Sequence, residues 1–188
     1  MISSREVAGY MIDSDYDVFE WLASEVRTLE LPTHQPVRIL EVGTLFGKSS
    51  LAMSEAFDRA GINHSINTYD CCIGNKIDFG DVKKCSAEEQ KQITTENLSD
   101  HPNITFIADI WTPEVEEDFD IFFYDGDHTY GETMKALNYK NPWIVLMDDY
   151  YEDPHESMKG LKQAVDEYIA QTGKELKKFD GSKIVAII

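Results

Sequence analysis

The sequence predicts a single α/β domain in which a mostly parallel β-sheet has helices on both faces. Its 188 residues suit one domain. Short β-rich runs alternate with longer stretches of helical periodicity, which is the pattern of a parallel sheet covered by helices. No internal repeat or low-complexity tract interrupts this alternation. A chain of this size buries about 70% of its unfolded surface, so we expect a core that needs neither a disulfide nor a metal.

The first half of the chain begins with an amphipathic helix at residues 15–30, because apolar side chains recur there at helical spacing. Pro32 and Pro36 follow and are expected to end this helix. Residues 71–86 contain glycines and mixed charge, which favours a loop. The other predicted elements of this half are strands at residues 38–42, 65–69 and 104–108 and helices at residues 48–60 and 87–98.

The second half continues the alternation and ends in a hairpin. Strands at residues 120–124 and 143–147 alternate with helices at residues 129–137 and 158–172. Asp180-Gly181-Ser182 separates two short β-rich runs, residues 175–179 and 183–188, which predicts an antiparallel C-terminal hairpin. The sheet therefore has seven strands. We divide the chain into an N-terminal helical extension, residues 1–37, and a domain that carries the functional site, residues 38–188.

The charge balance bears on the class of partner. The chain has 17 basic and 35 acidic side chains, a formal net charge of −18. Nucleic-acid affinity comes largely from Lys and Arg side chains that displace counterions, so this composition disfavours a nucleic-acid substrate. Excess acid is more often a solvated surface than a site, although composition leaves open an acidic interaction protein that mimics nucleic acid.

Cysteine usage and the N-terminus bear on location. Cys71, Cys72 and Cys85 form neither an even framework nor a CxxC motif, which favours free thiols in a reducing compartment. The N-terminus has no apolar segment typical of a secretion signal, and the most hydrophobic run, Ile144–Met147, is far too short to span a bilayer. We therefore expect a cytoplasmic protein without membrane contacts.

Carboxylates stand at the predicted carboxyl ends of the parallel strands. Open α/β sheets bind ligands at this edge, where loops and helix N-termini converge. Each carboxylate also has an alternative role, because Asp readily caps the helix or turn that follows. The positions are Glu41, Asp70, Asp109, Asp125 and the pair Asp148-Asp149.

The first strand leads into the segment EVGTLFGKSS, residues 41–50, and then into a helix. Glycines allow a sharp turn and the close approach of a ligand, and a helix N-terminus offers unpaired N–H groups. Leu45 stands where a dinucleotide fingerprint has its second glycine, and Val42 stands where a Walker A loop has its first, which disfavours a diphosphate ligand. The pattern ExGxxxG instead suits a ligand that carries an amino acid, because Glu41 can meet the ammonium group and the helix N-terminus the carboxylate.

Five segments, in order, resemble the class I S-adenosylmethionine-dependent methyltransferases. ILEVGTLFGKSSLAMSEA is similar to their first motif, INTYD to their acidic second motif, and ITFIAD to the segment at the adenine edge. DIFFYDGDHTYGETMKAL and WIVLMDDYYED are similar to the DGDxxY and DDY blocks of a compact branch that contains metal-dependent sugar and macrolide O-methyltransferases. The resemblance runs from about Arg38 to the C-terminus and implies a Rossmann-like fold. Asn141-Pro142-Trp143 replaces the Gly-Gly turn that this family usually has before the DDY strand.

The resemblance implies a site for S-adenosylmethionine along the strand ends. The glycine-containing turn after the first strand would surround the methionine part. Asp70 would accept hydrogen bonds from both ribose hydroxyls, and Asp109 would lie beside the adenine. The implied cofactor contacts are Glu41, Gly43, Thr44, Gly47, Ser49, Asp70, Asp109 and Asp125.

The resemblance also implies a divalent cation, held by Asp125, Asp148 and Asp149. Ligation by oxygen alone suits Mg²⁺ or Ca²⁺ rather than zinc, and we expect Mg²⁺. Asp127, two residues after Asp125, is an alternative ligand. A set of turn-capping aspartates without a metal is the alternative to the whole site.

His128 stands three residues after Asp125, where metal-dependent relatives place a basic proton acceptor, and it is therefore a candidate general base. Free imidazole groups titrate near pH 6.5, roughly, which suits that task at neutral pH. A hydrogen bond from a loop histidine to a neighbouring carboxylate is the alternative. Aromatic side chains near the strand ends either line an acceptor pocket or pack in the core. They are Trp111, Tyr130, Tyr150 and Tyr151.

We predict an S-adenosylmethionine-dependent O-methyltransferase that methylates a hydroxyl of a small molecule or sugar with a divalent cation, with His128 and Asp125 as catalytic residues. Methyl transfer needs an in-line approach, so the protein supplies mainly proximity and orientation. Two other classes stay open: a protein that binds or consumes the cofactor without methyl transfer, and an acidic interaction protein on the same fold. The oligomeric state is open, a homo-oligomer included.

Overall fold

A seven-stranded sheet forms the centre of the molecule. The computed structural model describes residues 2–29, 36–114 and 117–188. The strands are β1 (Val37–Val42), β2 (His64–Tyr69), β3 (Ile104–Ile107), β4 (Ile121–Tyr124), β5 (Ile144–Met147), β6 (Leu176–Lys178) and β7 (Val185–Ile187). Their order across the sheet is β3-β2-β1-β4-β5-β7-β6. The first five strands pair in parallel, and β7 runs antiparallel to both β5 and β6.

Helices cover both faces of the sheet. They are α1 (Asp13–Thr28), α2 (Lys48–Arg59), α3 (Ala87–Leu98), α4 (Tyr130–Leu137) and α5 (Lys159–Thr172), and a short 3₁₀ turn, Glu156–Met158, precedes the last of them. Helices α1 and α2 pack together on one face, and α4 and α5 pack together on the other. The clearest local signal is at α3, where Ser86 and Glu89 form a reciprocal capping box that fixes the start of the helix.

The central strands divide the core in two, because successive side chains of a strand point to opposite faces. Ile121 and Phe123 of β4 join the cluster beneath α1 and α2, whereas Phe122 and Tyr124 join the cluster beneath α4 and α5. All four side chains are buried. A strand covered on both faces is therefore apolar throughout, as the sequence of this strand is.

The predicted fold class is confirmed, and every predicted helix and strand lies within two residues of its observed bounds. Residue 30 and Pro32, which the sequence places at the end of the first helix, lie outside the described residues. Val18, Phe19 and Leu22 of α1 pack in the same core cluster as the sheet. The division of the chain at residue 37 stays a prediction.

The strand order reverses between β1 and β4, and the carboxyl ends of the central strands meet there. Backbone hydrogen bonds continue this edge past the strands. The N–H of Asp125 donates to the Val42 carbonyl at 2.8 Å, and the N–H of Asp148 donates to the Tyr124 carbonyl at 3.0 Å. The ladder therefore holds the residues that follow β1, β4 and β5 in fixed relative positions.

Within the described residues, no helix combines the length and apolar character needed to cross a membrane. Cys71, Cys72 and Cys85 are free thiols, as predicted. Burial raises the pKa of Cys72 to about 11, so this thiol is protonated at neutral pH and is a weak nucleophile.

Candidate active site

The turn after β1 brings two parts of the chain into close contact. Gly43 has a φ of +98°, and a Cβ atom at this position would lie 2.0 Å from the backbone oxygen of Asp125. Gly47 has a φ of +91° and precedes the first residue of α2. Only glycine fits position 43, because both the left-handed backbone and the contact with the chain after β4 exclude a side chain.

Glu41 lies beneath this turn rather than in the ligand space. Its side chain is fully buried, and the hydroxyls of Ser49 and Ser50 donate to its two carboxylate oxygens. Burial raises the pKa of Glu41 above its usual value. The residue therefore ties the end of β1 to the first turn of α2. Its predicted contact with the methionine part stays a prediction.

A cavity of about 650 Å³ opens along the carboxyl edge of β1, β2 and β4. This volume lies within the range of about 300–1,000 Å³ that is typical of sites for small ligands. Four of the predicted cofactor contacts line it: Gly43, Asp70, Asp109 and Asp125. Thr44 and Ser49 line a smaller adjoining cavity of about 40 Å³. We call the larger space the cofactor cavity.

Asp70 closes one side of the cofactor cavity and also organises the backbone around it. Its Oδ2 accepts the N–H of Leu45 at 2.7 Å, and its Oδ1 accepts the N–H of Cys72 at 2.7 Å and the amide of Gln90 at 3.0 Å. A carboxylate has about four acceptor positions. Oδ2 therefore has an acceptor position left for a ligand hydroxyl. Asp70 also caps the turn that follows it, which the sequence offered as the alternative to ligand binding.

Two further aspartates at this cavity support the turns that follow them. Asp109 Oδ1 accepts the N–H of Ile110 at 2.8 Å, and Asp127 Oδ1 accepts the N–H of Thr129 at 2.7 Å. Capping is thus part of the role of both residues. Asp127 directs this oxygen to the backbone before α4, which favours Asp125 over Asp127 as the functional carboxylate after β4.

Trp111 supplies an unpartnered donor beside the cofactor cavity. Its ring packs against Phe122 and Tyr139, with centroids 5.3 Å away in each case, so the indole is held in place. Its Nε1 atom is buried and has no hydrogen-bond partner among the described residues. The fixed ring of Trp111 therefore forms part of the cavity lining, together with Asp70, Asp109 and Asp125.

A cluster of charged side chains lies at the ends of β4 and β5. Lys183, just before β7, places its Nζ 2.8 Å from Asp149 Oδ1 and 3.1 Å from Asp148 Oδ2. Asp148 Oδ1 accepts the N–H of Asp149 at 2.8 Å. Nothing in the spacing of the sequence predicts Lys183 at this site, because it stands more than thirty residues after Asp149 and joins the cluster only when β7 pairs with β5.

The cluster changes the proton affinity of its members. Burial raises the pKa of Asp125 well above its usual value, and the negative charge of Asp148 raises it further. Burial also raises the pKa of Asp148, against the opposing effect of Lys183. For Lys183, burial lowers the pKa, but Asp148, Asp125 and Asp149 outweigh that effect and hold it above its usual value. Lys183 is therefore a fixed positive charge among carboxylates that repel one another.

The residues that fit a metal differ in part from the predicted set. Donor atoms of Asp125, His128 and Asp149 all lie within 4.8 Å of one another. His128 Nε2 is buried without a hydrogen-bond partner among the described residues, 3.4 Å from Asp149 Oδ2 and 4.0 Å from Asp125 Oδ1. Asp148, the third predicted ligand, is not one of this group, and Lys183 pairs with both Asp148 and Asp149. The donors present fit a divalent cation at Asp125 and Asp149.

A second cavity, of about 660 Å³, lies on the other side of Asp125, and we call it the acceptor cavity. Five separate parts of the chain form it: the segment before α1, the loop at residues 71–86, the residue after β4, the residues after β5 and the turn between β6 and β7. Its polar floor consists of Asp125, Asp149 and Lys183. Asp125 lines both cavities, so a ligand in one can meet a ligand in the other at this residue.

The aromatic residues predicted for an acceptor pocket have different positions. Trp111 lines the cofactor cavity and Tyr151 lines the acceptor cavity. Tyr130 donates to Glu167, and Tyr150 donates to Asp166, both on α5. Sequence reasoning did not identify Tyr10, Ile12, Ile77 or Phe79, which line the acceptor cavity from loops that carry no motif.

Comparison with known protein families finds a match for this chain. One protein family, described as a methyltransferase domain, matches residues 40–150 of the 188-residue chain. The match begins in β1 and ends just after β5, so it includes the glycine turn and the aspartates of the charged cluster, but not Lys183. No curated protein sequence matches the chain.

Solved structures share the fold at low sequence identity. The O-methyltransferase NovP is 19% identical with a TM-score of 0.66, over 93% of this chain and 78% of NovP. Cofactor-bound Rv0187 from MTB is 12% identical with a TM-score of 0.62, over 95% of this chain and 81% of that one. The SAH-bound Podospora anserina methyltransferase PaMTH1 is 16% identical with a TM-score of 0.52, over 98% and 91%.

The family match extends over more than half of the chain, and the sheet has the Rossmann-like form that the resemblance to class I enzymes implies. This chain therefore belongs to the methyltransferase-domain family, within the class I S-adenosylmethionine-dependent methyltransferases.

Proposed function

We propose that the protein transfers the methyl group of S-adenosylmethionine to a hydroxyl oxygen of a small molecule or sugar, with a divalent cation at the charged cluster. The observation that carries this proposal is that two cavities, of about 650 and 660 Å³, meet at Asp125. A transferase needs two such sites that open onto one reacting point. A protein that only binds the cofactor needs one.

The cofactor cavity has groups for each part of S-adenosylmethionine. Asp70 Oδ2 accepts from a ribose hydroxyl, Asp109 lies toward the adenine, and the turn at Gly43 adjoins the methionine part. The indole ring of Trp111, held by Phe122 and Tyr139, forms part of the cavity lining. When bound, S-adenosylmethionine supplies an electrophilic methyl group on a sulfonium sulfur, which keeps the electron pair of the broken bond.

His128 is the proposed proton acceptor. Its Nε2 accepts the proton that the acceptor hydroxyl loses as the hydroxyl oxygen bonds to the methyl carbon. Nε2 lies 3.4 Å from Asp149 and 4.0 Å from Asp125, so the imidazolium that forms has two carboxylates beside it. Charge that develops at His128 is thereby stabilised where it appears.

Asp125 and Asp149 are the proposed ligands of the cation. Mg²⁺ prefers oxygen ligands, which leaves the nitrogen of His128 free for the proton. The cation would offset the repulsion between carboxylates and favour the ionised form of a bound hydroxyl. Lys183 pairs with both Asp148 and Asp149, but only Asp149 belongs to the group of donor atoms that lie within 4.8 Å of one another, so Asp148 contributes to the cluster without ligating the cation.

Location and partners belong to the same proposal. The free thiols suit a reducing compartment, and we keep the cytoplasm as the predicted location. The net charge of −18 supports a partner other than nucleic acid.

Calorimetry of S-adenosylhomocysteine binding tests the cofactor site. Asp70→Ala should weaken binding by about ten- to a hundredfold, because hydrogen bonds to a charged group contribute roughly 1.5–3 kcal/mol. Asp78→Ala is the matched control, since Asp78 accepts one backbone N–H in the same loop but lines neither cavity. Equal affinity of the two variants, both folded by thermal melting, would rule out the ribose contact at Asp70.

A further inference from the structure

The walls of the acceptor cavity are apolar and exposed. Ile12, Ile77, Phe79 and Tyr151 line it, and all four keep a large part of their surface open to solvent, with Phe79 68% exposed. Soluble proteins seldom place several large exposed apolar side chains around one space unless that space binds a ligand or a partner. The continuity of this cavity with Asp125 makes a small-molecule substrate the occupant that fits.

Polar atoms on these walls already have partners inside the protein. The Tyr10 hydroxyl donates to Asn75 Oδ1 at 3.2 Å, and the Tyr151 hydroxyl donates to Asp149 Oδ1 at 3.2 Å. The Ser182 hydroxyl donates to Asp15 at 2.7 Å. A sugar carries hydroxyls around its whole ring, and a wall that offers few free donors and acceptors would leave them without partners.

The floor of the cavity has the opposite character. Asp125, Asp149 and Lys183 line it, and they are charged. An ammonium group has three N–H donors, of which Asp148 and Asp149 take two, so Lys183 has one that is able to meet an oxygen of a bound molecule. Recognition by hydrogen bonds is therefore confined to one edge of the ligand.

We propose that the methyl acceptor is an aryl alcohol, a flat apolar ring system with a phenolic hydroxyl at one edge. The inference rests on the proposed methyl transfer and adds its substrate class. The ring would contact Ile12, Ile77 and Phe79, and the hydroxyl would lie at Asp125, within reach of His128. A phenol ionises near pH 10, roughly, whereas an alkyl hydroxyl resembles water, at about 15.7, so an imidazole removes the phenolic proton far more easily.

Saturation-transfer NMR on the protein saturated with S-adenosylhomocysteine tests the substrate class directly. The probes are phenol, catechol and 2-naphthol on one side, and methyl α-glucopyranoside and methyl α-mannopyranoside on the other. We expect at least one aryl alcohol to bind at least ten times more tightly than either pyranoside. The same aryl alcohol should accept radiolabelled methyl groups when S-adenosylmethionine replaces the product.

Variants of the wall place the binding in this cavity. Phe79→Ser and Ile77→Ser should weaken aryl alcohol binding by about five- to thirtyfold, because each removes apolar contact area, and both should leave the affinity for S-adenosylhomocysteine unchanged. Leu29→Ser is the matched control, since Leu29 is an exposed apolar residue, 45% open to solvent, that lines neither cavity.

Failure of this inference and failure of methyl transfer look different. The substrate class is overturned if the protein binds S-adenosylhomocysteine but no aryl alcohol, or binds a pyranoside more tightly than any aryl alcohol. It is also overturned if Phe79→Ser and Ile77→Ser behave like Leu29→Ser. In each of these cases the transferase proposal stands. If calorimetry finds no binding of S-adenosylhomocysteine, the transferase proposal itself falls, and the substrate class with it.

Discussion

The cofactor cavity and the acceptor cavity share one lining residue, Asp125, but different kinds of chain segment form them. Chain segments at the carboxyl edge of neighbouring parallel strands form the cofactor cavity, and backbone geometry at Gly43 shapes it. Loops from five separate parts of the chain form the acceptor cavity, and exposed side chains such as Phe79 shape it.

The difference shows where specificity can change without loss of the fold. A site made by a strand-end turn depends on the sheet, so its geometry is constrained by the core. A site made by exposed loop side chains can change its ligand through single substitutions that leave the core intact. We therefore expect variants in the two cavities to separate cleanly into effects on cofactor affinity, on stability and on turnover.

The largest effect should come from the proposed proton acceptor, His128, beside Asp125 and Asp149. His128→Ala should lower turnover by about 10²–10⁴-fold and leave S-adenosylhomocysteine affinity nearly unchanged, because a general base acts on the reacting hydroxyl. Mg²⁺ affinity should also be unchanged if Asp125 and Asp149 alone hold the cation. His155→Ala is the control, since that exposed histidine hydrogen-bonds to Ser157 and is not part of the group formed by Asp125, His128 and Asp149. Turnover above about a third of wild type would remove His128 from this role.

Gly43→Ala should show how strongly the stability of the protein depends on the backbone conformation beside the cofactor cavity. A Cβ atom there would overlap the Asp125 carbonyl, and we expect a loss of about 3–4 kcal/mol, a fall of roughly 6–16 °C in melting temperature. Gly61→Ala is the control, because Gly61 also has a positive φ but its Cβ would meet open space. That control should lose only about 2–4 °C. Equal losses would mean that close approach at Gly43 is unimportant.

Lys183→Met tests the positive charge on the floor of the acceptor cavity. The change leaves Asp148 and Asp149 without their cation, and, as Lys183 is 17% exposed, we expect a loss of about 2–3 kcal/mol, roughly 4–12 °C, in the presence of EDTA. Millimolar Mg²⁺ should restore part of it, because a cation relieves the repulsion of the carboxylates. Lys178→Met breaks an exposed pair with Glu152 and should shift melting by about 2 °C at most. Equal melting of the two variants would contradict the role of Lys183.

The smallest expected effect is a gain in stability from Asp125→Asn, at the residue that lines both cavities. The pKa of Asp125 is higher in the folded protein than in the unfolded chain, so the folded state binds the proton more tightly and wild-type stability falls as pH rises from about 4 through that raised pKa. Asp125→Asn removes this loss. Because the side chain keeps 34% exposure, solvent screens the effect, and we expect a melting temperature about 2–4 °C higher at pH 7 with little difference near pH 4. A lower melting temperature at pH 7 would show that Asp125 stabilises the unliganded cluster.

Local sequence patterns determined the positions of the helices and strands and several residues of the cofactor cavity. Apolar alternation and helical spacing located every strand and helix to within two residues, because these patterns depend on neighbours along the chain. The turn after β1 was predicted at Gly43 for the same reason: a glycine between a strand and a helix has few other uses. Parallel strands place their carboxyl ends at one edge, so Asp70, Asp109 and Asp125 could be assigned to one cavity before any contact was known.

Only the tertiary structure decided the acceptor side and the pairing of charges. The sequence grouped Asp148 with Asp125 and Asp149, but β7 brings Lys183 beside both Asp148 and Asp149, and His128 lies close to Asp125 and Asp149. Phe79 joins the acceptor cavity through a loop that has no periodic pattern. These contacts join residues far apart in the chain, and their distances depend on the packing of the whole sheet, which no local pattern records.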